Sequence, residues 1–106
     1  MAINSTNTIA TTLGVDSESQ YIRMVFVDKL DGSVDVDYYF YTDKSGFIAD
    51  EYSFINRSLS ADITRSFNTG VLTPADNTID NKHDLAIAEL ILRGLDGNKL
   101  SKVDLV

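Results

Sequence analysis

The sequence predicts an α+β domain in which a three-stranded antiparallel meander, open to extension by an N-terminal strand, packs on two C-terminal helices. Three observations carry this. Residues 20–55 are dense in β-branched and aromatic side chains at period two. Two polar breaks ending in Gly32 and Gly46 interrupt that stretch. After Ser58 the apolar period lengthens to that of a helix.

The strands are expected at 20–29 (QYIRMVFVDK), 34–42 (VDVDYYFYT) and 47–55 (FIADEYSFI). A slip of one residue moves every side chain to the other face, so loop parity can be argued from the apolar pattern. Three-residue loops, Leu30-Asp31-Gly32 and Lys44-Ser45-Gly46, place glycine last, where a left-handed residue closes such a turn. Ile22, Met24, Phe26, Val34, Val36, Tyr38, Phe40, Ile48, Tyr52 and Phe54 then share one face. Arg23, Val25, Val27, Asp35, Asp37, Tyr39, Tyr41, Ala49 and Glu51 share the other. A two-residue turn at Asp31-Gly32 would instead oppose Asp28 to Asp35, a repulsive pair.

Leu59, Ile63 and Phe67 recur at four-residue spacing, which predicts a helix over 59–69 capped by Ser58 or Ser60 and ended by Asn68-Thr69-Gly70. Residues 71–80, with the only proline, read as a connector. Asn81 is expected to cap a second helix over 82–95, with Asp84 completing a partial capping box. Its apolar residues Leu85, Ile87, Ala88, Leu90, Ile91, Leu92 and Leu95 ring most of the circumference, so it should be covered on two sides. Residues 1–19 show only a thin alternation at Ile9, Thr11, Leu13 and Val15 and are expected to be an N-terminal arm or an edge strand beside a single domain over 20–106. A three-stranded sheet and one short helix hardly cover so apolar a helix. The N-terminal segment, the tail KLSKVDLV or a second copy of the chain must help, and symmetric self-association into a homo-oligomer is the favoured expectation.

Composition bounds the function. At 106 residues, 43% hydrophobic and 24% charged, the chain has the make-up of one globular domain. A net charge of −7 repels nucleic-acid phosphates and leaves a basic protein as the plausible charged partner. Without cysteine there are no disulfides, thiolate metal sites or cysteine nucleophiles. The start MAINSTNTIATTLGV lacks the basic and apolar regions of a signal peptide, and no stretch reaches the length of a membrane span, so a cytoplasmic protein is expected. A polar start on a small, acidic, cysteine-free domain resembles in style the accessory and virion proteins of phages, with no motif behind the likeness.

No catalytic set emerges. His83 and Asp84 are neighbours on a helix and point about 100° apart, so they make no base and orienting acid. No G-x-S-x-G elbow or phosphate-binding glycine loop is present. The calcium-loop template fails, because aligning Gly46 as its invariant glycine puts Tyr41 first and Tyr52 twelfth. Asp35 and Asp37 lie about 7 Å apart on one strand face, too few donors for a metal alone. No metal or cofactor is therefore expected.

Three function classes follow. In the first, a non-enzymatic interaction or assembly protein uses Arg23, Asp35, Asp37, Tyr39 and Tyr41 of the outer sheet face, with Leu90 and Ile91 of the last helix, as its interface. In the second, a ligand-binding or enzymatic domain holds a pocket between sheet and helices, lined by Asp28, Asp50, Tyr38 and Tyr52. In the third, Asp28, Asp31, Asp35, Asp37 and Asp43 form an acidic mimic that blocks a basic protein surface.

Overall fold

The computed structural model describes residues 1–11, 13–64 and 72–105. Among these, β1 (Ala2–Ser5), β4 (Tyr21–Asp28), β5 (Val34–Tyr41), β6 (Asn56–Asp62) and β7 (Leu100–Val103) make an antiparallel sheet in the order β6-β5-β4-β1-β7. β2 (Thr8–Ala10) and β3 (Asp16–Glu18) pair as a separate ribbon. Helix α1 (Lys44–Ala49) lies between β5 and β6, α2 (Ile79–Leu92) follows β6, and a 3-10 turn at Gly97–Lys99 leads into β7. The fold is α+β with an antiparallel sheet, but the sheet has five strands rather than a three-stranded meander.

The β4-β5 hairpin has the register that parity demands. Asp28 pairs with Val34 and Ile22 with Phe40, the Lys29 amide donates to Ser33 O, and Gly32 closes the turn at φ +86°. Asp31 Oδ1 accepts from the Ser33 amide and hydroxyl, which stiffens the loop. Asp35 thus stands opposite Val27, clear of Asp28.

The second break is not a hairpin turn. Asp43 Oδ1 accepts from the Gly46 amide at 2.7 Å and caps α1, so Gly46 sits inside a helix and the strand expected at 47–55 does not form. Phe47 and Phe54, both read as strand residues, instead pack with Tyr21, Tyr39 and Tyr41 on the outer sheet face. Ile48 and Tyr52, expected in the core, are 70% and 77% exposed.

The third meander strand is β6, nine residues further on. Residues 59–62 of the expected 59–69 helix are therefore strand, and 65–69 lie outside the described residues. A β-bulge disguised it. Val36 pairs with Ala61 but Tyr38 with Ser58, so Leu59 and Ser60 together oppose Asp37. Ser60 takes φ +57°, and its amide donates to Asp37 Oδ1 at 2.7 Å. The extra residue breaks the period-two pattern that would have marked the strand.

An N-terminal strand does extend the sheet, as β1 beside β4, but it takes an interior place rather than the edge, and β2 and β3 of the expected arm pair with each other. β1 lies inside the sheet between β4 and β7, with Ala2 and Ile3 fully buried. β7, from the tail, takes the edge. Ile3 belongs to the core between sheet and α2, so both chain ends help cover a helix that 20–95 alone could not. Helix α2 also starts earlier than expected, at Ile79 with Thr78 as its cap rather than Asn81; Thr78 Oγ1 accepts from the Asn81 amide. It ends at Leu92, and Leu95 packs on the core from the following loop.

Candidate functional site

Helix α2 turns His83, Ala86 and Leu90 toward the sheet, where all three are buried. Spacings of three and four residues place them on one face. Tyr38, fully buried beneath them, donates its hydroxyl to Ala86 O at 2.6 Å, and burial pushes its phenol pKa up. The opposite side of α2 is what the sequence leaves over: Leu85, Ala88, Ile91 and Leu92.

Those four, with Ile63 just beyond β6, line an apolar groove of about 490 Å³. Leu92 is 82% exposed and Ile91 46%. The other lining residues are Asp62 and Glu89, and both carboxylates have partners in the chain. Asp62 Oδ1 accepts from the Thr64 amide and hydroxyl, and Glu89 pairs with Arg93 at 3.4 Å. Arg93 also donates to Ser58 Oγ and lies over the Tyr38 ring, fastening the end of α2 to β6. The groove therefore offers contact area and shape but few polar groups to orient a small molecule. A hollow of about 550 Å³ between Asn4, Thr6, Gln20 and Lys44 has the opposite character, polar and open.

The four residues expected to line a ligand pocket are not brought together. Tyr38 is internal and Tyr52 is exposed. Asp28 stands at the hairpin end of β4 and accepts from Asn77 Nδ2 at 3.3 Å. Asp50 ends α1, beyond the far end of β5, where its carboxylate accepts from the Tyr52 amide.

The residues expected to form an interface divide. Tyr41 and Leu90 are buried, Tyr41 with its hydroxyl donating to Glu51 O at 2.6 Å. Tyr39 meets Phe54 edge-on, and Arg23 lies over the Phe47 ring 3.8 Å from Glu51. Residues 47–54 thus cover the aromatic end of that face. Asp35 pairs with Lys29 at 3.2 Å, while Asp37 holds the bulge. Ile91 alone of the set lines the groove. Sequence reasoning did not single out Leu85, Ala88, Leu92 and Ile63; the excess apolarity of 85–92 was the available signal.

Among the described residues no group of three or more His, Asp or Glu is placed to hold a metal ion, and no helix is long and apolar enough to cross a membrane. Fold and groove together define a small α+β domain with an apolar cleft on its helical side. Comparison of the chain with protein-family models, curated proteins and solved structures finds no match in any of the three.

Proposed function

We propose that the protein is a non-enzymatic interaction domain of the cytoplasm that self-associates, a second copy of the chain docking its own α2 on the apolar groove. The observation that carries the reading is the exposure of Leu92 and Ile91 beside Leu85, Ala88 and Ile63. A contiguous apolar face of this kind on a small acidic domain favours burial against another protein surface. The occupant is a second copy because the helical wall of the groove runs along two turns of α2, from half-buried Leu85 past small Ala88 to exposed Leu92. Two such helices approach closely at the small residue, and a two-fold axis buries both walls at once.

Against an enzymatic reading stands the polar inventory of the groove, two carboxylates already engaged by Thr64 and Arg93. The carboxylates of an acidic mimic are likewise occupied at Asp31, Asp35, Asp37 and Asp43. Sedimentation velocity over a concentration series tests the proposal. A monomer–dimer equilibrium is expected, and a monomer at every concentration would overturn it.

A further inference from the structure

His83 is the chain's single histidine, and the groove makes no use of it. It lies on the inner face of α2 with its side chain fully buried. Its Nδ1 is 2.9 Å from Ile79 O, one helical turn back, so Nδ1 carries the proton and donates. Nε2 is then a bare acceptor, and among the described residues it has no hydrogen-bond partner. The ring faces Phe26 of β4, with centroids 5.9 Å apart and planes tilted by 59°. A neutral imidazole suits this contact as an aromatic ring. A protonated one would add an N–H with no acceptor and a charge without solvent.

The surrounding charges do not relieve that cost. From β7, Lys102 comes near, and from the start of β1 the chain's amino terminus; both oppose a further positive charge. On α2 itself Asp80 favours protonation. Its carboxylate, however, is already 2.6 Å from Lys102 Nζ, which also holds Asp84 at 2.9 Å. Lys82 lies over the Phe26 ring on the β4 side. Among the described residues, Asp80 and Asp84, the carboxylates beside His83 on α2, are thus committed to Lys102.

We infer that His83 is a proton-operated release for α2: the helix stays docked on the sheet only while the imidazole is neutral, and mild acid loosens it from β4 while the surface carboxylates are still ionised. The sign follows from burial. Desolvation, the largest influence, lowers the folded imidazole below its ordinary 6.5. The unfolded chain therefore takes up a proton that the folded chain refuses. The stabilisation is complete above pH 6.5 and is lost as the pH falls from there through the lowered folded value. The release is independent of what occupies the groove.

The test compares the wild-type chain with His83→Phe, which keeps a ring against Phe26 and removes the titration. Melting temperature is read from about pH 7.5 to about pH 5, where histidine is the one side chain that ordinarily titrates and the amino terminus, held below its ordinary 8.0 by burial, titrates alike in both proteins. The wild-type melting temperature should fall more steeply across this range than that of His83→Phe, which keeps only the shared contribution of the amino terminus. Amide exchange at Ala86 and Leu90, corrected for intrinsic rate, should speed up about tenfold for each unit that the folded value lies below the unfolded one. Parallel decline of both proteins overturns the inference. Where His83→Phe does not fold, the wild-type imidazole resonances decide: an unshifted titration near the ordinary value overturns it, and a neutral ring well below that pH supports it.

Discussion

Gly32 and Gly46 end two polar breaks that look alike in sequence, and alanine at the two positions should have opposite effects. Gly32 closes the β4-β5 hairpin at φ +86°, where a Cβ crowds the following carbonyl. Alanine there costs about 1–2 kcal/mol. Gly46 lies in α1 with no positive φ. A Cβ on it would stand 3.4 Å from Asp43 Oδ1, 3.5 Å from Thr42 Oγ1 and 3.9 Å from Ser53 Oγ, all ordinary contacts. Glycine in a helix is about 1 kcal/mol less favourable than alanine, and near the end of a short helix about half of that is recovered. Gly46→Ala should therefore stabilise by about 0.5 kcal/mol and raise the melting temperature by about 2–4 °C, while Gly32→Ala lowers it by more. Thermal unfolding followed by circular dichroism at one pH reads both. A loss for Gly46→Ala comparable to that for Gly32→Ala would mean that Gly46 closes a left-handed turn, and the account of α1 would fail.

Three further outcomes follow from single contacts. Tyr38→Phe removes the hydroxyl that reaches Ala86 O and should cost about 1 kcal/mol by chemical denaturation, whereas the same change at exposed Tyr52 should be silent. Asp43→Ala removes the α1 cap and should cost about 1 kcal/mol, with faster amide exchange confined to residues 44–49. Asp104 is held below its ordinary 3.8 first by the Tyr21 hydroxyl and then by Lys44. Its stabilisation is present above that value and lost as the pH falls through the lowered one. Asp104→Asn should therefore flatten the acid limb of a stability–pH profile and leave the neutral limb unchanged in slope.

The elements legible in the sequence are those whose signals are local. The β4-β5 register follows from parity, from Gly32 and from the repulsion of Asp28 by Asp35, all within about twenty residues. The buried face Ile22, Met24, Phe26, Val34, Val36, Tyr38 and Phe40 follows with it. The second break was ambiguous, because Asp43-x-x-Gly46 serves equally as a turn and as a capped helix start; the aromatic spacing of Phe47 and Phe54 did not decide between them. β6 was hidden by the bulge at Ser60. The place of β1 rests on partners about 20 and 100 residues away, a long-range pairing of a four-residue strand that propensity cannot signal. For the groove, the surplus of apolar residues in α2 was plain, but which of them remain exposed depends on where β1 and β7 complete the sheet.

The central claim is that the outer side of α2 is an interface between copies. Leu92 is the sharpest probe, because it is largely exposed in one chain and its replacement should barely disturb folding. Sedimentation equilibrium of the wild-type protein beside Leu92→Glu measures the claim directly. The account predicts a dimer for the wild type and a monomer of unchanged melting temperature for the variant; equal self-association by both, or by neither, would contradict it.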